Sequence, residues 1–281
     1  MSRWSKQKTA FALMNLAALL VVVPSVAIVY SLVVRGAPAL SWSFLTEMPR
    51  RGMREGGIMP AIVGTLYLLG GTLLFAVPIG ILAAIYMVEY APNNKLTRSI
   101  RLAIVNLAGV PSVVYGLFGY GLFVLFLHFG KSVLAGSLTL ALLILPVVIT
   151  SAEEALLSVP RSFCDGSLAL GATRWQTVRR IVLPNSAAGI ITGVVLGIGR
   201  AAGETAPIMF TAAAFYLPRL PRSVFDNCMA LPYHLYVVAS EMFNCPEKVQ
   251  WGTALTLLIL VLGMNLTAAV IRARFRRSRS W

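Results

Sequence analysis

GIGRAAGETAPIMF, the stretch from Gly197 to Phe210, carries an arginine and a glutamate, Arg200 and Glu204, inside an otherwise apolar run. That run extends over Ala187–Leu217 and is long enough to cross a membrane as a helix. An ionisable side chain in a membrane costs about 2.5–3.5 kcal/mol on insertion scales, so it usually faces a partner or an aqueous path. The pair is therefore expected to face either a neighbouring helix or an aqueous path inside a membrane span.

The composition indicates a polytopic membrane protein. Of the 281 residues, 58% are hydrophobic and only 12% are charged, whereas a soluble domain has roughly a quarter of its residues charged. Every backbone polar group must be paired within lipid, so the spans are expected to be helices. We predict an all-α integral membrane protein with six transmembrane helices, over Thr9–Val34, Ile58–Val88, Leu102–Phe129, Val133–Thr150, Ala187–Leu217 and Trp251–Ile271.

The basic residues indicate the orientation and argue against nucleic acid as the partner of this chain. With the N-terminus inside, 15 of the 24 Lys and Arg residues fall on the cytoplasmic side and 8 on the outer side. This asymmetry follows the positive-inside rule, with Arg50–Arg54 as the exception. We expect both termini in the cytoplasm, tails at 1–8 and 272–281, a membrane domain at 9–271, a cytoplasmic loop at 151–186 and an outer loop at 218–250.

The cysteines and histidines leave one question open and predict no metal site. Cys228 and Cys245 share the outer loop, where an oxidising compartment permits a disulfide, and two buried thiols are the alternative. The segment between them could be an interfacial helix, a re-entrant helix or a docking platform. The two histidines, His128 and His234, lie far apart in the sequence without a ligand-spaced cluster. No catalytic constellation and no cofactor are predicted.

Glycines share a face of the fifth span with the two charges. Gly189, Gly193 and Gly197 recur every fourth residue, the spacing of small residues at which helices approach closely. At about 100° per residue, Arg200 and Glu204 project onto the same face, away from lipid.

The charged pair has two interpretations. It is either an ion pair that holds the helix to a neighbour, or the lining of a route for a charged solute. Gly203 and Pro207 favour the route, because glycine and proline weaken a helix. Broken helices near the middle of the membrane form solute sites in several transporters.

The cytoplasmic loop contains dense helix signals. We expect a short helix over Phe163–Leu170, a stop at Gly171 and a second helix from Arg174 up to Pro184. The pairs Ser151 with Glu154 and Thr173 with Gln176 each have the spacing of a capping box. The loop also carries apolar residues surrounded by arginines. They form either a docking site for a partner protein or an amphipathic loop on anionic lipid headgroups. The apolar residues are Leu168, Leu170 and Trp175, and the arginines are Arg161, Arg174, Arg179 and Arg180.

This loop resembles the EAA loop of ABC importer permeases, which has Glu-Ala-Ala, three residues, Gly, nine residues and Ile-x-Leu-Pro. The matching positions have the same spacing and are Asp165, Gly166, Ser167, Gly171, Ile181, Leu183 and Pro184. The first three depart from the family's letters: Asp165 keeps a carboxylate, whereas Gly166 weakens the helix. The resemblance implies contacts with an ATPase through Asp165, Gly166, Ser167, Leu168, Gly171, Arg174, Trp175, Arg179, Ile181, Leu183 and Pro184.

A wider resemblance covers most of the chain. RAAGETAPIMFTA (Arg200–Ala212) and PSVVYGLFGYGLFVLF (Pro111–Phe126) resemble the A-type permease subunit (PstA) of the phosphate-specific ABC importer. This implies the type I importer permease fold in the inner membrane. It also implies a heterodimer with a sister permease (PstC-like), two copies of a cytoplasmic ATPase (PstB-like) and a periplasmic phosphate-binding protein (PstS-like). ATP hydrolysis would belong to the separate ATPase subunit, so this chain would not itself be an enzyme.

Within that family, Arg200 would attract the phosphate anion and Glu204 would accept a hydrogen bond from its hydroxyl. Two alternatives remain. One is a permease for another oxyanion, such as molybdate or sulfate, in which the RAAGETAP signature is not expected. The other is a phosphate carrier driven by an ion gradient, which would transport without an ATPase.

Overall fold

The computed structural model describes residues 3–277, which are mostly helical, as predicted. The strands in this range, β1 (Pro49–Arg50) and β2 (Glu55–Gly56), form a small antiparallel hairpin. The helices are α1 (Arg3–Gly36), α2 (Trp42–Thr46), α3 (Met59–Ile85), α4 (Lys95–Ala108), α5 (Ser112–Gly119), α6 (Val133–Leu157), α7 (Arg161–Ala169), α8 (Arg174–Thr177), α9 (Leu183–Gly203), α10 (Ala206–Thr211), α11 (Leu231–Tyr236) and α12 (Glu247–Arg277). Short π-helical turns extend four of them, over Tyr86–Tyr90, Tyr120–Phe126, Val178–Val182 and Val237–Glu241.

The described residues contain five helices that are long and apolar enough to cross a membrane, and a sixth if one bent pair counts as a single span. The five are Phe11–Ala39, Met59–Tyr90, Val133–Leu157, Arg174–Gly203 and Glu247–Arg274. The predicted number of six is therefore approximately confirmed. The tails predicted at 1–8 and 272–281 are helical over residues 3–8 and 272–277, and their remaining residues lie outside the described part.

The third predicted span, Leu102–Phe129, is wrong as a single straight helix. The chain bends by 104° between Lys95–Ala108 and Ser112–Phe126. Pro111 lacks a backbone N–H, and it disfavours helical geometry at the residue before it, so α4 ends ahead of it. The apolar run therefore contains two helices that point in different directions.

Two other predicted helix ends also differ from the structure. Helix α6 continues past Thr150 to Leu157, so Ser151 and Glu154 lie inside it and do not form a capping box. The fifth span stops as a helix at Gly203, so it breaks where Gly203 and Pro207 predicted a weak helix and does not run unbroken to Leu217. Residue Glu204 is extended, with ψ of 126°, and α10 begins after it.

Helix α6 lies at the centre of the bundle and packs against α3 and α9. The three glycines of α9 face it, as the sequence predicted: Gly189 lies against Ala155, Gly193 against Ser151 and Gly197 against Ile144. A Cβ added to Gly189 would stand 2.6 Å from the Cβ of Ala155, well inside van der Waals contact. Helices α6 and α9 can thus approach closely only because these positions have no side chain.

The bundle has two distinct ends. The hairpin end carries β1 and β2, and there the loop after α10 closes over the start of α6, with Ser132 N–H donating to Thr211 and Val133 N–H to Asp226. The opposite end, here named the loop end, carries α7 and α8. The segment between the two cysteines forms α11 and its π-helical turn, whose Leu231 and Val237 are buried.

No disulfide joins the two cysteines of this segment. Cys228 and Cys245 are free, buried thiols in this structure, which is the alternative to a disulfide that the sequence had left open. Burial raises the pKa of the Cys228 thiol to about 12 and also raises that of Cys245.

Candidate functional site

The charged pair lies at the point where α9 breaks. Arg200 is in the last turn of α9, and Glu204 is the first residue after that helix. The Arg200 Nε donates to Glu204 Oε1 over 3.4 Å, a long contact for a charged hydrogen bond. The Arg200 side chain retains 34% of its exposure and the Glu204 side chain 17%. The two groups are therefore paired with each other but not sealed from the surroundings.

The residues around the pair place it inside the bundle. Glu204 lines a small cavity between α3, α6, α9 and α11, together with Thr65, Leu140 and Pro232. Leu140 is seven residues from the start of α6, which corresponds to about 10 Å from the hairpin end.

The Arg200 guanidinium keeps donors available for another ligand. Its contact with Glu204 uses Nε alone, and within residues 3–277 its terminal nitrogens make no other hydrogen bond. A guanidinium presents paired donors that match two oxygens of an oxyanion. The terminal nitrogens of Arg200 can therefore bind an anion beside the Glu204 carboxylate without first breaking other hydrogen bonds.

The stop after the first loop helix and the cap of the second were predicted correctly from the sequence. Gly171 has φ of +86°, a left-handed conformation that glycine adopts without strain, and it ends the first helix. Thr173 and Gln176 form the predicted capping box, with both hydrogen bonds present. The first helix begins at Arg161, two residues before its predicted start at Phe163.

The second loop helix does not stop at Pro184 as predicted. It continues from Arg174 to Gly203 as one helical segment of 30 residues, about 45 Å long. The π-helical turn at Val178–Val182 ends two residues before Pro184, where the missing N–H interrupts the regular hydrogen-bond pattern. This continuous helical segment, Arg174–Gly203, is here named the rod, and it connects the loop end to the residue before Glu204.

The residues predicted to contact an ATPase divide into two sets. Leu170 is 90% exposed and Trp175 51% exposed, while Val178 and Val182 of the same segment are buried against the ends of α3 and α6. The exposed set contains Asp165, Gly166, Leu168, Gly171, Arg174, Trp175 and Arg179. The partly buried set contains Ser167, Ile181, Leu183 and Pro184. Ser167 and Thr177 share a hydroxyl hydrogen bond of 2.9 Å that ties α7 to α8.

A polar groove of about 330 Å³ lies between the loop helices and the ends of α3 and α6. It is lined by Glu89, Arg161, Asp165 and Arg174, so Asp165 and Arg174 face this groove as well as solvent. Cys164 lies in it, and burial raises the pKa of its thiol, helped by the carboxylates of Glu89 and Asp165. The sequence interpretation missed Glu89, although it is an acidic residue at the end of a predicted span.

Within the described residues, no group of three or more His, Cys, Asp and Glu side chains could hold a metal ion. His234 is buried in α11, and burial lowers its pKa to about 4. It is therefore neutral near pH 7.

Comparisons with known proteins place this geometry in a family context. Residues 76–280 match the model of the family described as binding-protein-dependent transport system inner membrane component. The chain is 34% identical to the probable ABC transporter permease protein YqgI of Bacillus subtilis, with 95% of each chain covered. It is 37% identical to the phosphate transport system permease protein PstA 1 of Mycobacterium tuberculosis, over 92% of this chain and 85% of that one. With PstA of Mycobacterium leprae the identity is 40%, over 90% and 84%.

Solved structures share the fold. A chain of the bacterial ABC transporter involved in the import of the acidic polysaccharide alginate matches with a TM-score of 0.68 at 15% identity, covering 97% of this chain and 99% of that one. A chain of the inward-facing MetNI methionine ABC transporter matches with a TM-score of 0.61 at 17% identity, covering 78% and 97%. The predicted type I importer permease fold is thus confirmed.

Proposed function

We propose that this chain, which belongs to the family of binding-protein-dependent transport system inner membrane components, is the permease subunit of an ATP-driven importer of inorganic phosphate. The observation that carries the proposal is the position of Arg200 and Glu204 at the end of the rod that starts in the loop helices. The similarity to several phosphate transport permeases named PstA supports phosphate as the substrate.

The assembly follows from the same family. The chain pairs with a sister permease, receives phosphate from a periplasmic binding protein and is driven by two copies of a cytoplasmic ATPase. The loop end is cytoplasmic and the hairpin end periplasmic, in agreement with the positive-inside rule. Both termini then lie in the cytoplasm, and the protein resides in the inner membrane. The nucleotide chemistry belongs to the ATPase.

The loop helices transmit the motion of the ATPase to the substrate path. Leu168, Leu170 and Trp175 offer exposed apolar contacts to a partner, and tryptophan is among the residues enriched at the energetic centres of interfaces. Val178 and Val182 hold the same segment to the ends of α3 and α6. Because Arg174–Gly203 is a single rod, a displacement at the loop end moves the residues beside Glu204.

The charged pair recognises phosphate by its charge and its hydroxyl. Near neutral pH phosphate is a mixture of mono- and dianion, and both forms keep a hydroxyl. Arg200 donates to the phosphate oxygens, and Glu204 accepts a hydrogen bond from that hydroxyl. Sulfate has no hydroxyl to donate to Glu204, so its negative charge is repelled by that carboxylate, and this repulsion discriminates against sulfate. The anion then binds to the terminal nitrogens of Arg200 while Nε stays on Glu204, and the nearby carboxylate keeps this binding weak enough for release.

Reconstitution tests the proposal. The purified chain is placed in liposomes alone, and in parallel with a sister permease, ATPase and phosphate-binding protein, and radiolabelled phosphate uptake is measured with and without ATP. Uptake is expected only in the full assembly with ATP. Accumulation by the chain alone would show a gradient-driven carrier and overturn the proposal. Equal competition by molybdate or sulfate would show a permease for another oxyanion.

A further inference from the structure

We propose that α4 lies on the membrane surface at the loop end and binds anionic phospholipid, and that it does not form part of a membrane span. The helix runs from Lys95 to Ala108 and has no buried residue. It makes the 104° angle with the following helix that breaks the third predicted span. An amphipathic helix with a basic polar face is the type of element that lies in the plane of a membrane interface.

The first two turns of α4 separate into an apolar side and a basic one, and in its second half the exposed Leu102 and Val105 add apolar surface on the far side. Leu96, Ile100, Ala103 and Leu107 all fall within a sector of about 60° at 100° per residue. All four are exposed. Lys95 and Arg98 both project about 100° or more from the centre of that sector. The helix contains three cations, Lys95, Arg98 and Arg101, and no Asp or Glu.

Arg101 fixes the rotation of α4 about its own axis. Its Nη2 donates to the Met87 carbonyl over 2.8 Å and forms an ion pair of 2.9 Å with Glu153 of α6. Met87 and Glu153 lie near the ends of α3 and α6 that meet the loop helices. At the start of α4, the Asn94 side chain accepts from the Thr97 N–H and caps the helix. These contacts hold the Arg101 side of α4 to the bundle at the loop end and leave Leu96, Ile100 and Ala103 exposed.

A cavity beneath the second half of α4 extends this apolar face into the bundle. Its volume is about 450 Å³, and it opens between α4, α5 and α6. Ile104 and Leu107 line it from α4, Val114 and Phe118 from α5, and Leu142 and Leu145 from α6. A cavity of this size is in the usual range for a small-molecule ligand, and its lining suits an acyl chain.

The charges decide between lipid and a protein as the occupant. A subunit interface over this helix would have to bring acidic groups to Lys95 and Arg98, because α4 supplies none. A bilayer surface rich in anionic lipid attracts basic residues without a specific partner, while the acyl region covers the apolar face. We therefore assign an anionic phospholipid: its phosphate meets Lys95 and Arg98, and its chains meet the face of Leu96, Ile100, Ala103 and Leu107.

Depth measurements test the position of α4. Spin labels are attached to Leu96→Cys, Ala103→Cys, Leu107→Cys and Arg98→Cys in a Cys164→Ser background, in nanodiscs of phosphatidylethanolamine and phosphatidylglycerol. We expect the first three labels at one shallow depth, with contact to oxygen, and the label at Arg98, on the opposite side of the helix, in contact with a water-soluble nickel chelate. In a tilted span, depth would instead rise over the roughly 16 Å between positions 96 and 107, which would overturn the proposal.

The same measurement in the assembly with the sister permease decides whether a protein covers the face. Labels at 96, 103 and 107 that lose contact with both oxygen and nickel there would identify a subunit interface and refute the lipid assignment. The cytoplasmic position of α4 rests on the orientation proposed above. The depth of the labels in the chain alone does not depend on phosphate transport, so either proposal can fail without the other.

Lipid selectivity tests the headgroup contact. The full chain is purified in mild detergent, and its bound phosphatidylglycerol and phosphatidylethanolamine are measured by native mass spectrometry. Lys95→Gln with Arg98→Gln is expected to lower the ratio of phosphatidylglycerol to phosphatidylethanolamine several-fold. The charge-preserving variant Lys95→Arg with Arg98→Lys, and the control Lys131→Gln with Arg219→Gln at the hairpin end, should keep it. An unchanged ratio in the first variant would overturn the proposal.

Discussion

Arg200 and Glu204 pair over 3.4 Å across the break at which α9 ends. The two residues are four apart, one helical turn, but α9 ends between them at Gly203. Its members stay partly exposed, although they lie well inside a bundle of apolar helices. A merely structural ion pair and a substrate contact predict different outcomes when both charges are removed, and this difference can be measured.

Removing either charge is expected to lower phosphate uptake by roughly tenfold or more, since a hydrogen bond to a charged group contributes about 1.5–3 kcal/mol. Arg200→Gln, Glu204→Gln and the double variant are compared for uptake at matched expression. If the pair were only structural, the double variant would recover uptake, because it leaves no unpaired charge. We expect it to stay defective. Arg200→Lys keeps the charge without the paired donors and should recover only part of the uptake.

Glu204→Gln is also expected to weaken discrimination against sulfate. The amide removes the negative charge that sulfate would meet, and its NH₂ group can donate to a sulfate oxygen. The measurement is inhibition of the residual phosphate uptake by increasing sulfate, in the variant and in the unaltered chain. Identical inhibition curves would show that Glu204 does not read the phosphate hydroxyl.

Gly171→Ala and Gly166→Ala should have opposite effects on the loop. Gly171 has φ of +86°, so a Cβ there is strained by roughly 1–2 kcal/mol. Gly166 lies within α7 with no atom within 4 Å of an added Cβ, so alanine stabilises that helix by about 0.5–1 kcal/mol. Association with the ATPase, followed by pull-down, should fall in the first variant and be kept in the second. Equal retention would mean that the turn at Gly171 does not shape the docking surface.

Leu170→Asp is expected to abolish association with the ATPase without destabilising the chain itself. Leu170 is 90% exposed, so a charge there causes little loss of burial within this protein. In a docked complex the same charge would be desolvated without a partner. Phe243→Asp is the matched control, because Phe243 is 84% exposed at the hairpin end. Thermal stability and pull-down yield are measured for both, and a parallel loss in the two variants would contradict the assignment.

The thiols should differ in reactivity in a way that reports on the groove at the loop end. Cys228 and Cys245 are buried, and maleimide should label only Cys164 in the folded protein. Burial and the carboxylates of Glu89 and Asp165 raise the pKa of Cys164, so less thiolate is present at a given pH than in an ordinary cysteine. Labelling should accelerate with rising pH, and Glu89→Gln should shift the rate profile to lower pH. An unshifted profile would place Glu89 away from the thiol.

Local rules predicted the features that depend on neighbours in the sequence. The stop at Gly171 and the capping box at Thr173 follow from backbone preferences within a few residues, and both are present. The glycine face of α9 also follows from helical periodicity, and α6 packs against it. The apolar runs were found for the same reason, because hydrocarbon thickness sets the length of a span.

The errors occurred where a helix end depends on what packs beside it. Ser151 has the sequence signature of a cap, yet it lies inside α6 against Gly193. Pro184 looks like a stop, yet a π-helical turn before it lets the rod continue. Arg101, Met87 and Glu153 are distant in sequence, and only the fold brings them together.

By itself the sequence determined the membrane class, the family and the identity of the charged pair, because hydrophobic length, helical period and motif spacing are local properties of the chain. Only the tertiary structure decided that α4 turns away from the third span and that the loop helix and α9 form one rod. It also fixed the exact end of that rod at Gly203, where Gly203 and Pro207 had predicted only a weak helix, and so separated Arg200 in the helix from Glu204 outside it. These features depend on contacts between residues far apart in the chain, and the free energy of those contacts overrides the local preference at each helix end.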